Sequence, residues 1–359
     1  MARYTQAKLD LCALRHNVGV ARQLAPHSRM MAVVKANAYG HGAVTIAGAL
    51  QSVVDALAVA CIEEAMELRY AGITAPILLL EGVFEPAELA TAAQLDLWLT
   101  IGNERQLRWL EEATLPVPLS CWLKVDTGMH RLGVAPETVL QFYQRLSATG
   151  NAVDAVVTYT HFASADDVHS LQTPRQLAVF DALPCGALRS AANSAGLLAW
   201  PQAHYDWVRP GYMLYGNSPL LHDHPQARSL KPVMTLMSTV ISLRDVAAGE
   251  AVGYGGTWVA QRPSRIATVT IGYGDGYPRH AANGTPVLVN GQRAPLAGRV
   301  SMDMITVDVT DLGEVQLGAE VVLWGAGLPL AEVARYADTI GYELTTRMPA
   351  RTPRVVVNA

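Results

Sequence analysis

Lys35 stands at a position where a lysine amine could act as a nucleophile. It directly follows the apolar run Met30–Val34, which is typical of a buried strand, and it precedes the glycine-containing sequence ANAYGHG. A lysine at the end of an apolar strand loses hydration, which lowers the pKa of its amine and favours a Schiff base with a carbonyl group. The alternative is a structural lysine that extends its amine into solvent. Lys35 is therefore a candidate nucleophile, and the other motifs of the chain decide between the two interpretations.

Further segments rich in glycine, basic and aromatic residues follow. They read LKVDTGMHRLG from Leu123, THFASAD from Thr160, NSAG from Asn193, DWVRPGYMLYG from Asp206, VGYGGTW from Val252, and then IGYGDGYPR and GRVSMDM. With AVVKANAYGHG they resemble the motifs of the alanine racemase family, in the family's order, from about residue 8 to residue 355. The resemblance implies a pyridoxal-phosphate-dependent isomerase. It is looser in MPARTPRVVV, and the family often has cysteine or alanine where this chain has Ser301.

The resemblance also implies a cofactor site. Lys35 would carry pyridoxal 5'-phosphate, and hydroxyl and backbone N–H groups would bind its phosphate, as a group with nearly two negative charges requires. The phosphate-binding residues would be Tyr39, Ser194, Gly211, Tyr212 and Tyr342. Arg209 would face the pyridine nitrogen; because arginine stays protonated, it donates a hydrogen bond without giving up a proton, so the cofactor is a weaker electron sink and transamination is suppressed. The alternative for Arg209 is a structural ion pair with Asp206 or a neighbouring residue.

Racemisation needs a base on each face of the substrate's Cα, and the resemblance assigns both. In a two-base mechanism on the external aldimine, Lys35 would act on D-alanine and Tyr254 on L-alanine. A phenol with a pKa of about 10 needs positive neighbours to act as a base. His161, also counted among the cofactor-binding residues, and Arg131 would provide them.

In this family the second domain reaches the barrel of the other protomer, so Tyr254 implies a homodimer with shared active sites. Arg131 and the backbone of Met302 would bind the substrate carboxylate. The substrate passage would be lined by Tyr273, Arg279, Arg299, Asp303 and Ile340. Lys124 matches a position that is carbamylated in some relatives and then orients the arginine seven residues later, here Arg131.

The elements that must position these residues show two patterns. Up to about residue 210, apolar runs alternate with amphipathic stretches, which predicts an α/β domain, a (β/α)8 TIM-type barrel. The eight runs are Met30–Val34, Ala56–Ala60, Pro76–Leu80, Leu95–Thr100, Leu119–Val125, Ala155–Thr160, Leu188–Ala192 and Trp207–Val208. Asp10 is a plausible N-cap for a helix that precedes the first barrel strand. We assign residues 9–229 to a barrel that binds the cofactor.

After about Ser229 the pattern changes to successive strand-like runs, such as Val233–Leu243 and Ile266–Ile271. Asn290-Gly291 between two extended runs is a strong hairpin signal. A helical pattern returns only near Leu330–Asp338. We therefore assign residues 230–359, with 1–8, to a mainly antiparallel β domain that contributes Tyr254. A terminal strand in the last residues is a weaker inference, because that stretch resembles the family only loosely.

Composition excludes several classes of function. The chain has 359 residues, is 50% hydrophobic and carries a formal net charge of -4, so it lacks the basic surface expected for nucleic acid or anionic membranes. Its N-terminus lacks the apolar core of a signal segment, and its apolar runs are too short to span a membrane. The cysteines Cys12, Cys61, Cys121 and Cys185 form no metal or disulfide pattern. We expect a cytoplasmic protein without a metal.

Three alternatives stay open at this point. A broad-specificity racemase would accept lysine, arginine or serine; the missing signal segment, Tyr273 and Tyr342 favour alanine. A non-catalytic pyridoxal-phosphate carrier would need neither the β domain nor Tyr254. A decarboxylase of the same plan would use an acidic or cysteine-bearing site in place of Tyr254. The sequence is compatible both with supply of D-alanine for peptidoglycan and with alanine catabolism.

Overall fold

The chain forms two compact units in the computed structural model, which describes residues 4–153, 156–184 and 188–359. The barrel unit comprises Arg15–Ala38 and Gly42–Leu230, and the β unit comprises the chain up to Leu14, Tyr39–His41 and Lys231–Ala359. The sequence-based boundary placed residues 9–14 and 39–41 with the barrel. They group with the β unit, where strand β1 (Gln6–Asp10) is part of the sheet.

The barrel unit is built around eight parallel strands that close into a ring, which confirms the predicted TIM-type barrel. The strands are β2 (Arg29–Val33), β3 (Ala56–Val59), β4 (Ile77–Leu79), β5 (Leu97–Ile101), β6 (Cys121–Lys124), β7 (Val157–Tyr159), β8 (Leu188–Ser190) and β9 (Trp207–Val208). Each lies within one predicted run or within one residue of it. Ala155, the predicted start of one run, lies outside the described residues.

Most residues of the barrel strands are buried, because side chains on one face fill the barrel and those on the other pack against helices. The exceptions are the exposed Arg29 and the half-buried Trp98, Leu188 and Arg189. All residues of β3 and β4 are buried. The helices between the strands are Ala43–Leu50, Ile62–Tyr70, Glu88–Gln94, Glu104–Glu112, Val139–Ala148, Gln172–Asp181 and Ser194–Ala199. Helix Leu11–Leu24 precedes β2, and Asp10 caps it by accepting the N–H of Ala13 at 2.8 Å, as predicted.

The β unit contains one large sheet. Its remaining strands are β10 (Met234–Val246), β13 (Ser264–Val269), β14 (Pro286–Val289), β15 (Gln292–Pro295), β16 (Ile305–Asp308), β17 (Glu320–Trp324) and β18 (Arg354–Val357); β11 (Ala251–Val252) and β12 (Trp258–Val259) form a separate pair. The order is β15-β14-β17-β10-β1-β18, with β13 between β10 and β16. The described pairs are antiparallel except β1 with β18, which confirms a mainly antiparallel domain and the terminal strand.

Local signals in the β unit have mixed outcomes. Asn290 and Gly291 have φ angles of 50° and 80° and connect β14 to β15, so the predicted hairpin is confirmed. Helix Leu330–Tyr336 is also confirmed. The expectation of only one helical segment there was wrong, because Gly341–Thr346 forms a second short helix. Its six residues are too few to show a helical apolar period.

Two sequence-based expectations concern membrane-spanning segments and cysteines. No helix within residues 4–153, 156–184 and 188–359 is long and apolar enough to cross a membrane. Cys12, Cys61 and Cys121 are free thiols, and burial raises the pKa of Cys121 to about 12. Cys185 lies outside the described residues.

Candidate active site

The barrel strands bring a group of cationic side chains together at their carboxyl ends, which is where barrel enzymes place their active sites. Lys35 follows β2 and is half-buried, Lys124 ends β6 and is buried, and Arg209 follows β9 and is buried. The positive charges that act on the His161 side chain come from Arg209, Lys124, Arg131 and Lys35. The sequence-predicted residues of the barrel therefore lie at one site.

In the described part of the chain no ion pair neutralises this cationic group, and the charge of the Glu81 carboxylate acts on Lys124 less strongly than burial and the neighbouring cations do. Among the described residues, none of Lys35, Lys124, Arg131 and Arg209 forms an ion pair with an acidic side chain. Burial, followed by repulsion from Arg209, Arg131 and Lys35, lowers the pKa of Lys124 to about 8. Buried charge of one sign is unfavourable unless something compensates it. The site therefore suits an anionic ligand.

Arg209 is fixed by the carboxyl ends of the two preceding barrel strands, β8 and β7. Nη1 donates to Ser190 Oγ at 2.5 Å, and Nη2 donates to the Thr160 carbonyl oxygen at 2.6 Å. Burial lowers its pKa to about 10, so it still carries a proton at neutral pH. The alternative of a structural ion pair is wrong, because Arg209 pairs with no carboxylate among the described residues and the Asp206 carboxylate accepts the backbone N–H of Arg189 at 2.7 Å.

Ser194 joins two loops of the same site. Its Oγ accepts the backbone N–H groups of Gly211 at 2.9 Å and Met213 at 3.3 Å, so the hydroxyl proton can be donated to a ligand. Asn193 holds the start of this short helix by accepting the N–H of Gly196. Tyr212 is buried beside this contact, and burial raises the pKa of its hydroxyl. Ser194, Gly211 and Tyr212 thus lie close together, as the resemblance implies.

His161 differs from expectation in its charge. Burial and the positive charges of Arg209, Lys124, Arg131 and Lys35 hold its pKa well below 6.5. The imidazole is therefore neutral at neutral pH, and the expectation that His161 supplies a positive charge was wrong. Its carbonyl oxygen accepts a hydrogen bond from the buried Gln176 side chain at 3.0 Å, which fixes the loop after β7.

The backbone after Lys35 adopts a left-handed helical turn. Ala36, Asn37, Ala38 and Tyr39 have φ angles of 52°, 54°, 52° and 52°. L-residues in this conformation cost roughly 1–2 kcal/mol each, and such strain persists only where surrounding contacts enforce it. Lys35, to which the resemblance assigns the cofactor, therefore directly precedes a backbone segment whose conformation is imposed by surrounding contacts.

Tyr254 lies in the β unit and is 71% exposed. It lines a surface pocket of about 430 Å³. The other lining residues are Gly253, Thr268, Arg299, Ser301, Met304, Ile305 and Thr306. The structure thus brings Tyr254 together with Arg299 and Ser301, while Arg279 and Ile340 are exposed elsewhere on this unit.

Met302 and Tyr273 lie on two loops that are bonded to each other. Tyr273 N–H donates to the Ser301 carbonyl oxygen at 3.0 Å, and Gly274 N–H donates to the Met302 carbonyl oxygen at 2.9 Å. A Cβ on Gly272 would lie 2.3 Å from the Ser301 oxygen, so the close approach requires glycine. Met302 and Tyr273 are both exposed. They therefore stand on a rigid base.

Tyr39 and Tyr342 also meet within the β unit. Their ring centres are 6.0 Å apart with an interplanar angle of 47°. Burial raises the pKa of Tyr39 to about 12, so its hydroxyl stays protonated and can donate a hydrogen bond.

Three residues that the sequence did not single out belong to these sites. The Tyr159 ring lies 5.0 Å from the Arg209 guanidinium carbon, the Glu64 carboxylate binds Ala36, and Arg351 pairs with Asp303. Tyr159 could have been found from the sequence, because it ends β7 two residues before His161, and residues two apart along an extended chain point to the same side. Glu64 carried no signal beyond an acidic first helical turn, and Arg351 carried none.

Comparison with known proteins gives a consistent result. The chain matches the family model for the alanine racemase N-terminal domain over residues 9–219 and that for the C-terminal domain over residues 233–356. It is 54% identical to an alanine racemase of Chromohalobacter salexigens, covering 100% of this chain and 99% of the relative. It is 51% identical to a catabolic alanine racemase of Pseudomonas putida, covering 98% of each chain.

Comparison with solved structures agrees with the family models and the sequence relatives. The fold matches the crystal structure of a biosynthetic alanine racemase from Pseudomonas aeruginosa with a TM-score of 0.95 at 50% identity, covering 99% of each chain. It matches the alanine racemase of Acinetobacter baumannii with a TM-score of 0.91 at 38% identity, covering 99% of this chain and 100% of that one. Both domain models, the closed barrel and the residues at its mouth lead to one conclusion: the chain belongs to the alanine racemase family.

Proposed function

We propose that this protein is an isomerase that interconverts L-alanine and D-alanine with pyridoxal 5'-phosphate. The observation that carries the proposal is the mouth of the barrel, where Lys35 lies among Lys124, Arg131 and Arg209 and none of them forms an ion pair with a carboxylate in the described part of the chain. Such a site is suited to an anionic cofactor that a lysine holds covalently.

The residues fit that cofactor in their chemistry. The Ser194 hydroxyl proton, which is not used in its bond with Gly211, and the tyrosine hydroxyl groups can donate hydrogen bonds to the oxygens of a phosphate. The residues that would bind the cofactor are Lys35, Tyr39, His161, Ser194, Arg209, Gly211, Tyr212 and Tyr342. When bound, the cofactor withdraws electrons from the substrate's Cα–H bond and so makes that proton removable.

Two side chains of the protein move the proton. The Lys35 amine takes it from D-alanine and returns it to form D-alanine, while the Tyr254 hydroxyl group serves L-alanine on the opposite face. The exposure of Tyr254 leaves its hydroxyl accessible to a substrate. Because the pKa of His161 is held low, Arg131 is the residue of the two that would supply positive charge near the phenol.

Other residues orient the reactants. Arg209 keeps its proton and therefore donates a hydrogen bond to the cofactor's ring nitrogen without transferring the proton. Arg131 and the backbone of Met302 bind the substrate carboxylate, and Tyr273, Arg279, Arg299, Asp303 and Ile340 line the passage to it. A passage bordered by tyrosine and isoleucine favours a small side chain such as that of alanine.

Two copies of the chain form a homodimer with shared sites. In each site, residues 9–229 of one copy bind the cofactor, and residues 230–359 with 1–8 of the other contribute Tyr254 and Met302. The enzyme acts in the cytoplasm. It supplies D-alanine for peptidoglycan or initiates alanine catabolism, and growth of a deletion strain with and without D-alanine separates these roles.

The test is circular dichroism of L-alanine incubated with the purified protein, together with an absorbance scan for the band near ~420 nm of a lysine-linked cofactor. We expect the optical activity to disappear, and both signals to be lost in Lys35→Ala. The band without racemisation of alanine would contradict the proposal and point to a cofactor carrier. Faster racemisation of lysine, arginine or serine would establish a broad-specificity enzyme instead.

A further inference from the structure

The Glu64 carboxylate connects the ends of two barrel strands. Its Oε1 accepts the backbone N–H of Ala36 at 2.6 Å, directly after Lys35, and its Oε2 accepts the N–H of Ala60 at 2.8 Å, directly after β3. Glu64 is the third residue of helix Ile62–Tyr70, where a glutamate usually bonds to the N–H of its own helix cap. Here one oxygen leaves the helix and binds the neighbouring strand end.

The Ala36 bond falls on the strained segment. Ala36, Asn37 and Ala38 are left-handed although none is glycine. At the far end of the turn, Asn37 Oδ1 accepts the N–H of Ala43 at 2.7 Å. Side-chain acceptors therefore hold the turn from both sides, Glu64 at its start and Asn37 at its end. Without such contacts, alanine and asparagine would favour a right-handed or extended backbone.

We infer that Glu64 is a positioning residue for Lys35. By holding the Ala36 N–H, it fixes the backbone that carries the amine and so the direction in which the amine leaves β2. Glu64 acts through Ala36 and does not itself contact the reacting atoms. This inference rests on the proposed function for the role of the amine, but the contact with Ala36 can be tested without any cofactor.

The first experiment measures amide hydrogen exchange in the cofactor-free protein by mass spectrometry of peptides that cover residues 34–40. Glu64→Gln and Glu64→Ala are compared with Glu63→Gln, which changes the neighbouring, exposed carboxylate of the same helical turn. We expect exchange of this segment to become at least about tenfold faster in both Glu64 variants and to stay unchanged in the Glu63 variant. An unchanged rate in the Glu64 variants would overturn the inference.

The second experiment titrates the same variants with pyridoxal phosphate, followed by borohydride trapping and identification of the modified peptide. We expect the dissociation constant to rise about tenfold in Glu64→Gln, with less trapping at Lys35, and to match the wild type in Glu63→Gln. Faster exchange or a lower melting temperature with unchanged cofactor affinity would overturn the positioning role. If the wild type itself traps no cofactor at Lys35, the proposed function fails, while the exchange result still decides whether Glu64 holds the turn.

Discussion

The Arg209 guanidinium carbon lies 5.0 Å from the centre of the Tyr159 ring. The Lys124 ammonium lies 5.5 Å from the same ring. The Tyr159 hydroxyl is engaged with Thr100 Oγ1 at 2.9 Å and the Leu80 carbonyl oxygen at 3.1 Å. A buried aromatic face next to two cations lowers the cost of holding them out of water. Tyr159 thus stabilises the cationic group electrostatically without using a carboxylate that would compete with an anionic ligand.

Substitutions of Tyr159 should separate the ring from the hydroxyl. Tyr159→Phe keeps the ring and should lower the free energy of unfolding by about 1 kcal/mol through the lost hydrogen bonds. Tyr159→Leu also removes the aromatic face beside two buried cations and should cost roughly 3 kcal/mol. Urea unfolding measures both. Equal losses in the two variants would show that the ring contributes nothing beyond its volume.

The stability of the protein should rise with pH above about 8 because of Lys124. Burial lowers its pKa in the folded state from 10.5 to about 8. Below the lower value the amine is charged in both states; between the two values the unfolded chain binds more protons, so the free energy of unfolding increases with pH. From pH about 7.5 to about 9.5 the gain should be about 2 kcal/mol.

Urea unfolding at these two pH values tests this effect, in CO₂-free buffer so that the neutral amine is not modified. Lys124→Met cannot titrate and serves as the comparison. The wild-type gain should exceed that of the variant by about 2 kcal/mol. Parallel pH profiles of the two proteins would rule out Lys124 as the source.

The sequence predicted the position of site residues that lie at strand ends, and it was less informative about features that depend on tertiary contacts. Lys35 and Arg209 could be placed together because each follows an apolar run and the ends of parallel strands meet, whereas Lys124 lies inside the run Leu119–Val125 and was singled out only by the resemblance. The left-handed turn after Lys35 could not be predicted, because alanine and asparagine do not prefer it and one of the acceptors that hold it, Glu64, is distant in sequence. The neutral state of His161 depends on neighbouring charges that are assembled only by folding.

Arg351 should stabilise the loops that carry Tyr273 and Met302. Its Nε lies 3.0 Å from the fully buried Asp275, and its Nη2 pairs with Asp303. Breaking a buried ion pair typically costs 3–5 kcal/mol, but Arg351 is 42% exposed, so we expect about 2 kcal/mol for Arg351→Met. The KM for alanine should rise more than kcat falls, because the Met302 loop loses its support.

The control for this prediction is Arg347→Met, which breaks an exposed helical pair with Glu343 and should cost less than about 0.5 kcal/mol. Combining Arg351→Met with Asp275→Asn should cost less than the sum of the single changes, because the buried charge is removed with its partner. Additive losses in unfolding experiments would mean that the two side chains act independently.

Tyr254→Phe should make Cα proton exchange depend on the enantiomer. Removing the hydroxyl group eliminates the proposed base on the L-face, while the Lys35 amine still reaches the D-face. Exchange from L-alanine in D₂O, followed by NMR, should fall about 10²–10⁴-fold, whereas exchange from D-alanine should be largely retained. Tyr70→Phe, at a tyrosine that is 74% exposed on the barrel unit, controls for loss of a surface hydroxyl and should leave both rates unchanged. Because the two faces are followed separately, equal losses from both enantiomers would assign Tyr254 a general structural role, and retained exchange from L-alanine would remove it from catalysis.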